Sequence, residues 1–239
     1  RAVVPQQKDD MMLVGDGHQR IYGRRASLGQ CGINIRGRGK KLRVNYRTTE
    51  EIRRYATAVL EAIEVDDLDD DQDSLSEYRS LLMGQKPVLK GFSDSKEEAE
   101  WVCSEIRKLT DEGMPDRNIC VVARTEKHLK DAESALKEAG YETYTVNRDS
   151  TENTQIPGIR LANMHRVKGL EFKVVFLVAV NQGVVPLQFA MDKTEDVVEK
   201  RAKDLNERAL LHVACTRAVQ GLYLSWSGEQ SPYLTQDAI

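Results

Sequence analysis

The densest chemistry in this chain lies between His165 and Glu171, where His165, Arg166, Lys168, Gly169 and Glu171 stand within seven residues. Two basic side chains, an imidazole, a glycine and a carboxylate so close together suit a polar ligand better than core packing, although a solvated charged loop has the same composition. A second cluster runs Asn206-Glu207-Arg208-Ala209-Leu210-Leu211-His212-Val213-Ala214-Cys215-Thr216-Arg217-Ala218. Leu210, Val213 and Ala214 follow the i, i+3, i+4 spacing of a buried helix face, and Arg217 is the next position on it. A guanidinium on an apolar stripe calls for an anionic partner, because an unpaired buried charge is costly. The alternative is an arginine that pairs with carbonyls at the helix end.

The elements that must carry these groups can be placed from periodicity. Val174 to Val180 is too short for a membrane span and too continuous for a half-exposed strand, so it predicts a strand buried on both faces, as in the middle of a parallel sheet. Ligands collect at the strand ends of such sheets. From Pro87 onward strand and helix alternate. Val88 to Phe92, Ile119 to Ala123, Tyr141 to Val146, Ile159 to Met164 and Gly221 to Trp226 read as strands. Helices are expected from a Ser95/Glu98 capping box to Gly113 and from Glu126 to Ala139, with Gly140 as the stop. Thr48 and Glu51 form another capping box, placing Arg47 just outside a helix N-terminus, where backbone N–H groups also favour a phosphate. Asp192 to Lys203 reads as a charged approach to the last helix, and Glu64 to Asp73 as an exposed acidic loop without calcium-loop spacing. The pattern as a whole is that of an α/β sandwich.

Four stretches in one order carry a family resemblance. HRVKGLEF followed by an apolar strand, and ERALLHVACTRA, resemble the fifth and sixth conserved motifs of UvrD/Rep-type superfamily 1 DNA helicases. Leu13-Val14-Gly15-Asp16-Gly17-His18-Gln19-Arg20-Ile21-Tyr22-Gly23 resembles motif III, and Leu42-Arg43-Val44-Asn45-Tyr46-Arg47-Thr48 resembles motif IV. Asp16 alone would fit a magnesium-holding acid after a strand, but Gln19, Ile21 and Tyr22 behind it fit motif III. The resemblance implies a RecA-like three-layer sandwich with a mainly parallel sheet, of the P-loop NTPase type but without its own Walker A loop. The nearest imitation, Gly37-Arg38-Gly39-Lys40-Lys41, lacks the first glycine and the hydroxyl after lysine. It further implies that residues 1–40 end a first motor domain and linker, and that 41–239 form a second RecA-like domain with no large accessory insertion, only Asn147 to Gly158.

On this resemblance, ATP lies between the two motor domains with Mg2+ held mainly by an N-terminal RecA-like domain, and the chain acts as part of an ATP-dependent DNA helicase while being inactive alone. Gln19 would sense the γ-phosphate, and Arg47 and Arg217 would neutralise charge developing on it. Tyr46 would stack on adenine, Glu171 would bind the ribose, and Gly169 would belong to the same nucleotide site. Tyr22, Arg24, Asn163, His165 and Lys168 would face single-stranded or partly duplex DNA. For these residues ordinary roles stay open: core packing for the tyrosines, local loop hydrogen bonds for Asn163 and His165, and plain solvation at the protein surface for Gln19, Glu171 and Lys168. Arg24 stands where many members have a stacking aromatic, Asn163 where a threonine is usual, His212 where a tyrosine is and Ala209 where an arginine is.

Composition bounds the reading. The 239 residues carry a formal charge of −3, yet positions 20 to 47 hold nine Lys or Arg and no Asp or Glu. Such a one-sided block between Tyr22 and Tyr46 suits a nucleic-acid backbone, or is a solvated linker. Cys31, Cys103, Cys120 and Cys215 have no spacing for zinc, and no metal site is expected. With no secretory signal or membrane-length run, a cytoplasmic setting without membrane contact is expected. A non-enzymatic nucleic-acid-binding or regulatory module on the same fold is the competing function. Gln19 and Arg217 argue against it, since a module without turnover has no use for γ-phosphate sensors.

Overall fold

In the computed structural model the described residues are 11–16, 21, 32–33, 39–61, 78–146, 153, 155–192 and 196–234. The chain opens with β1 (Val44–Thr49), α1 (Glu50–Glu61) and β2 (Arg79–Leu82), and continues with β3 (Val88–Phe92), α2 (Ser95–Asp111), β4 (Ile119–Ala123) and α3 (Glu126–Glu138). The second half comprises β5 (Thr143–Thr145), β6 (Ile159–Asn163), β7 (Phe172–Val178), the short α4 (Gln188–Met191), α5 (Val197–Cys215) and β8 (Ala218–Ser227). Six strands form one parallel sheet in the order β3-β8-β7-β4-β6-β5, while β1 and β2 pair in parallel as a separate two-stranded sheet.

The period-2 alternation of strand side chains divides the core into two layers. Cys120, Val122, Ala162, Val175 and Leu177 face α1 and α5, meeting Ile52, Tyr55, Val59, Leu210 and Val213. Val121, Leu161, Val174 and Phe176 face α2 and α3, meeting Val102, Ile106, Leu129 and Leu136. The arrangement is therefore helices, sheet, helices, the three-layer α/β sandwich expected. Phe176 stacks on Tyr223 with centroids 4.5 Å apart, and Trp101 tilts against that tyrosine at 6.1 Å; each pair adds about 0.5 to 1.5 kcal/mol to its area burial.

Several helix ends differ from the expected ones. The N-cap of α2 is Asp94, whose carboxylate accepts from Lys96 and Glu97 N–H, each at 2.9 Å. Glu98 is not a capping residue: it is buried, and its Oε1 accepts from Ala179 N at 2.8 Å and from Ser225 Oγ at 2.6 Å, tying α2 to the carboxyl ends of β7 and β8. Likewise Glu51 accepts from Gly84 N at 2.8 Å, and Glu50 accepts from Ser80 N at 2.7 Å and from Arg53. Both carboxylates satisfy the β2 segment, which has a pairing strand on one side only, and the Thr48/Glu51 capping box does not form. The predicted approach to the last helix is largely helix itself, because Asp196 caps α5 by accepting from Val198 N at 2.8 Å. The helix stops at Gly113 and Gly140 fall as expected, with φ of +91° and +90°.

The acidic run from Glu64 to Asp73 lies outside the described residues. Among the described residues no helix is long and apolar enough to cross a membrane, and no three His, Cys, Asp or Glu side chains converge as a metal site would require. Cys120 and Cys215 are core residues, and burial pushes the Cys215 thiol well above its usual range.

Candidate functional site

The topology splits the 163–171 stretch between two ends of the sheet. Ala123 of β4 pairs with Asn163 on one side and with Val178 on the other, so Asn163 lies level with the carboxyl end of β7. Glu171 immediately precedes β7 and lies at its opposite end. Seven residues of strand, at about 3.3 Å each, separate the two levels by roughly 23 Å. The residues that are neighbours in sequence therefore serve two places, and a single ligand does not meet His165 and Glu171 together. Gly169 lies in the crossing segment with φ +90° and nothing within 4 Å of a notional Cβ. Glycine is required there for backbone conformation, not for space.

At the amino ends of β7 and β8 a charged corner forms from three distant segments. Arg47, on β1, places Nε 2.6 Å from Glu171 Oε1, with the two side chains 48% and 44% exposed. Arg47 lies on β1, which runs directly into α1 at Glu50, three residues further on; Asn45 Oδ1 accepts from its N–H at 2.7 Å and from Thr48 N at 3.3 Å. Arg217 follows α5, which ends at Cys215 with Thr216 as its cap, so Arg217 is not on the helix face. Its chain is buried, and its donors reach Val213 O at 3.0 Å from Nε, Leu170 O at 3.3 Å from Nη1 and Thr216 Oγ1 at 3.1 Å from Nη2. The bonds to Val213 and Thr216 belong to a helix-end arginine satisfying terminal groups; the bond to Leu170 ties it to the stretch that carries Glu171. Burial, and then the Arg47 charge, lower the Arg217 pKa, while the Glu171 and Asp16 carboxylates favour its charged form. Tyr46, which precedes Arg47 on β1, is 73% exposed, which rules out core packing for it.

At the carboxyl ends stands a different set. Asn163 Oδ1 accepts from His165 N at 3.1 Å and from Arg166 N at 3.2 Å, two local loop bonds, while its Nδ2 donates to Glu126 Oε1 at 2.8 Å and so ties the loop to the first turn of α3. His165 is half-buried; burial and then the Arg124 charge push its pKa down, with Glu207 opposing. Arg124 and Glu207 form a bidentate pair, Nε to Oε2 at 3.0 Å and Nη2 to Oε1 at 2.6 Å, and Glu207 Oε2 also accepts from Leu187 N at 3.2 Å. Neither residue stands out in the sequence as a pair. Glu207 sits in the predicted cluster, but its spacing from Arg124 gives no sign that β4 and α5 meet there. Lys168 is exposed in the crossing segment.

Gln19, Tyr22 and Arg24 lie outside the described residues, as does much of the basic block. Its described members Lys40, Lys41, Arg43 and Arg47 are all exposed. Two of the residues that depart from the resemblance have packing roles: His212 Nδ1 lies 2.8 Å from Ala56 O, joining α5 to α1, and Ala209 is buried in the same layer. Arg208 Nη1 donates to Val59 O at 3.2 Å, and its guanidinium lies 4.2 Å from the Tyr233 ring centroid.

Open parallel sheets ordinarily bind ligands beyond the carboxyl ends of their strands. Here the arginine corner lies at the amino ends and the histidine at the carboxyl ends, so the two groups of side chains stand at opposite ends of the sheet. The UvrD-like helicase C-terminal domain family matches residues 40–150 and 142–229. A probable DNA helicase of Mycoplasma pneumoniae is 25% identical over 228 residues, covering 90% of this chain and 38% of its own length. ATP-dependent DNA helicase UvrD2 of Mycobacterium tuberculosis is 40% identical over 80 residues, 32% of this chain and 10% of that protein. The chain thus spans well under half the length of these relatives. The solved C-terminal domain of a possible DNA helicase from Lactobacillus plantarum WCFS1 shares the fold, with a TM-score of 0.55 at 17% identity over 81% of this chain and 96% of that one. Because the matched span from 40 to 229 takes in every strand and helix from Val44 to Ser227, this chain belongs to the UvrD-like helicase C-terminal domain family.

Proposed function

We propose that this chain is the second motor domain of an ATP-dependent DNA helicase or translocase, forming one wall of an ATP site whose other wall is an N-terminal RecA-like domain. The observation that carries this is the meeting of half-exposed Arg47 and Glu171 with buried Arg217, from β1, the β6–β7 crossing and the end of α5, at one corner. Guanidinium forks match phosphate oxygens, and arginines supplied from a second domain carry large rate effects in phosphoryl transfer. In this reading Arg47 and Arg217 face the γ-phosphate, with Gln19 as a further sensor, and exposed Tyr46 is free to stack on the base. Glu171, an acceptor, serves a sugar hydroxyl. Magnesium is assigned to the partner domain, and DNA to the opposite end of the sheet with His165, Asn163 and Lys168, together with Tyr22 and Arg24.

The test is Arg217→Ala in the full-length protein. As a transition-state contact it lowers kcat by roughly a thousandfold while nucleotide binding changes far less. A second reading, a nucleic-acid-binding module without turnover, has one observation in its favour: every donor position of Arg217 named above is already engaged within the chain. If the variant's folded fraction turns over at the parent rate, that arginine is structural and the catalytic reading is wrong.

A further inference from the structure

The ion pair between Arg47 and Glu171 sets a condition on what enters the corner. Two guanidinium groups share it, and Arg47 opposes the charge of Arg217 while Glu171 supports it. The carboxylate at 2.6 Å therefore does for Arg47, in the protein alone, what an incoming phosphate would do. An anion that takes Nε of Arg47 must displace Glu171, and one that takes its other nitrogens must sit beside that carboxylate. A bare polyphosphate gives Glu171 nothing in return, since an ionised carboxylate only accepts hydrogen bonds and repels a like charge. A ligand with hydroxyl donors next to its phosphates does offer a return: Arg47 passes to the phosphate and Glu171 accepts from the hydroxyl.

We propose that Glu171 is a specificity-determining residue that makes this corner select nucleoside triphosphates against bare polyphosphates, by holding Arg47 until one ligand satisfies both side chains. Selection of this kind works through a penalty on the wrong ligand as much as through contacts to the right one. The proposal rests on the ATP-site reading above, and it adds a role that a simple sugar contact does not have. A residue that only touched the sugar would leave polyphosphate binding unchanged when altered.

The experiment measures competitive inhibition of DNA-stimulated ATP hydrolysis by inorganic tripolyphosphate, with the full-length protein at constant free magnesium. Parent, Glu171→Gln and Arg47→Ala proteins are compared. Glu171→Gln keeps the shape and removes the charge. It should lower the Ki for tripolyphosphate about two- to fivefold, the range set by a half-exposed, screened ion pair. The KM for ATP should fall less or rise, so the discrimination between the two ligands shrinks. Arg47→Ala should raise the tripolyphosphate Ki at least about tenfold, as loss of a charge-assisted bond does. An unchanged or higher Ki for Glu171→Gln, alongside the expected rise for Arg47→Ala, overturns the selection role and leaves the ATP site standing. An unchanged Ki for Arg47→Ala overturns the phosphate reading of the corner, and the proposal with it.

Discussion

Removing one member of the Arg124–Glu207 pair should destabilise the protein more than any other single ion-pair deletion among the described residues. The two side chains are only 11% and 10% exposed, joined by two hydrogen bonds, and Glu207 also accepts from Leu187 N. Glu207→Ala leaves a buried guanidinium and a backbone N–H without their acceptor, a loss of about 3 to 5 kcal/mol. For a domain of this size each kcal/mol lowers Tm by about 2 to 4 °C, so the expected drop is about 6 to 20 °C. Arg47→Ala breaks a pair that is half exposed, and its effect on stability should stay below about 1 kcal/mol. Thermal unfolding of the three proteins, with denaturant titration to obtain free energies, makes the comparison. The double replacement Arg124→Met with Glu207→Leu is the control, because a well-packed apolar pair is often neutral or better than a buried ion pair. If Glu207→Ala costs no more than Arg47→Ala, the pair is solvated in practice and the account of the carboxyl end is wrong.

Two further outcomes are expected. His165 is held below its usual pKa by burial and then by Arg124, so between its folded value and 6.5 the unfolded chain binds a proton that the folded chain refuses. Its contribution to stability is thus full above pH 6.5 and falls as pH drops through that window, so the parent should lose Tm faster than His165→Gln on acidification; equal slopes contradict this. For DNA, neutralising Arg36, Arg38, Lys40 and Lys41 together in the full-length protein should reduce the log–log salt dependence of single-strand binding by about 0.7 for each phosphate that these side chains had neutralised. An unchanged slope and affinity make the block a linker.

The fold was legible where local pattern and long-range packing agree. Ile119 to Ala123 is apolar throughout and is buried throughout, and the stops at Gly113 and Gly140 depend on backbone conformation alone. Features set by distant partners were not legible. β2, with the sequence Arg-Ser-Leu-Leu, has no periodicity of its own and is held by bonds from Glu50 and Glu51 across thirty or more residues. Glu98 fits a capping box by spacing, but its carboxylate goes to Ala179, which holds the left-handed φ of 53°, and to Ser225. The first turn of α5 exposes Val197 and Val198, so no buried stripe marks where the helix begins. At the candidate site, residue types singled out Arg47, Glu171 and Arg217, which the fold brings to one corner. The division of the His165 to Glu171 stretch between two ends required knowing that β6 and β7 both run parallel to β4, which turns a seven-residue cluster into a crossing of the whole sheet.

On the proposed function, Arg47 and Arg217 leave partners inside this chain to meet a nucleotide's terminal phosphate. A crystal structure of the full-length protein with ADP and aluminium fluoride, a mimic of the transferring phosphoryl group, tests it most directly. Nitrogens of both guanidinium groups should then lie about 3 Å from the fluoride ligands, with Glu171 released from Arg47. A nucleotide bound while Arg47 remains on Glu171, and Arg217 on the Val213 and Leu170 carbonyls alone, would contradict it.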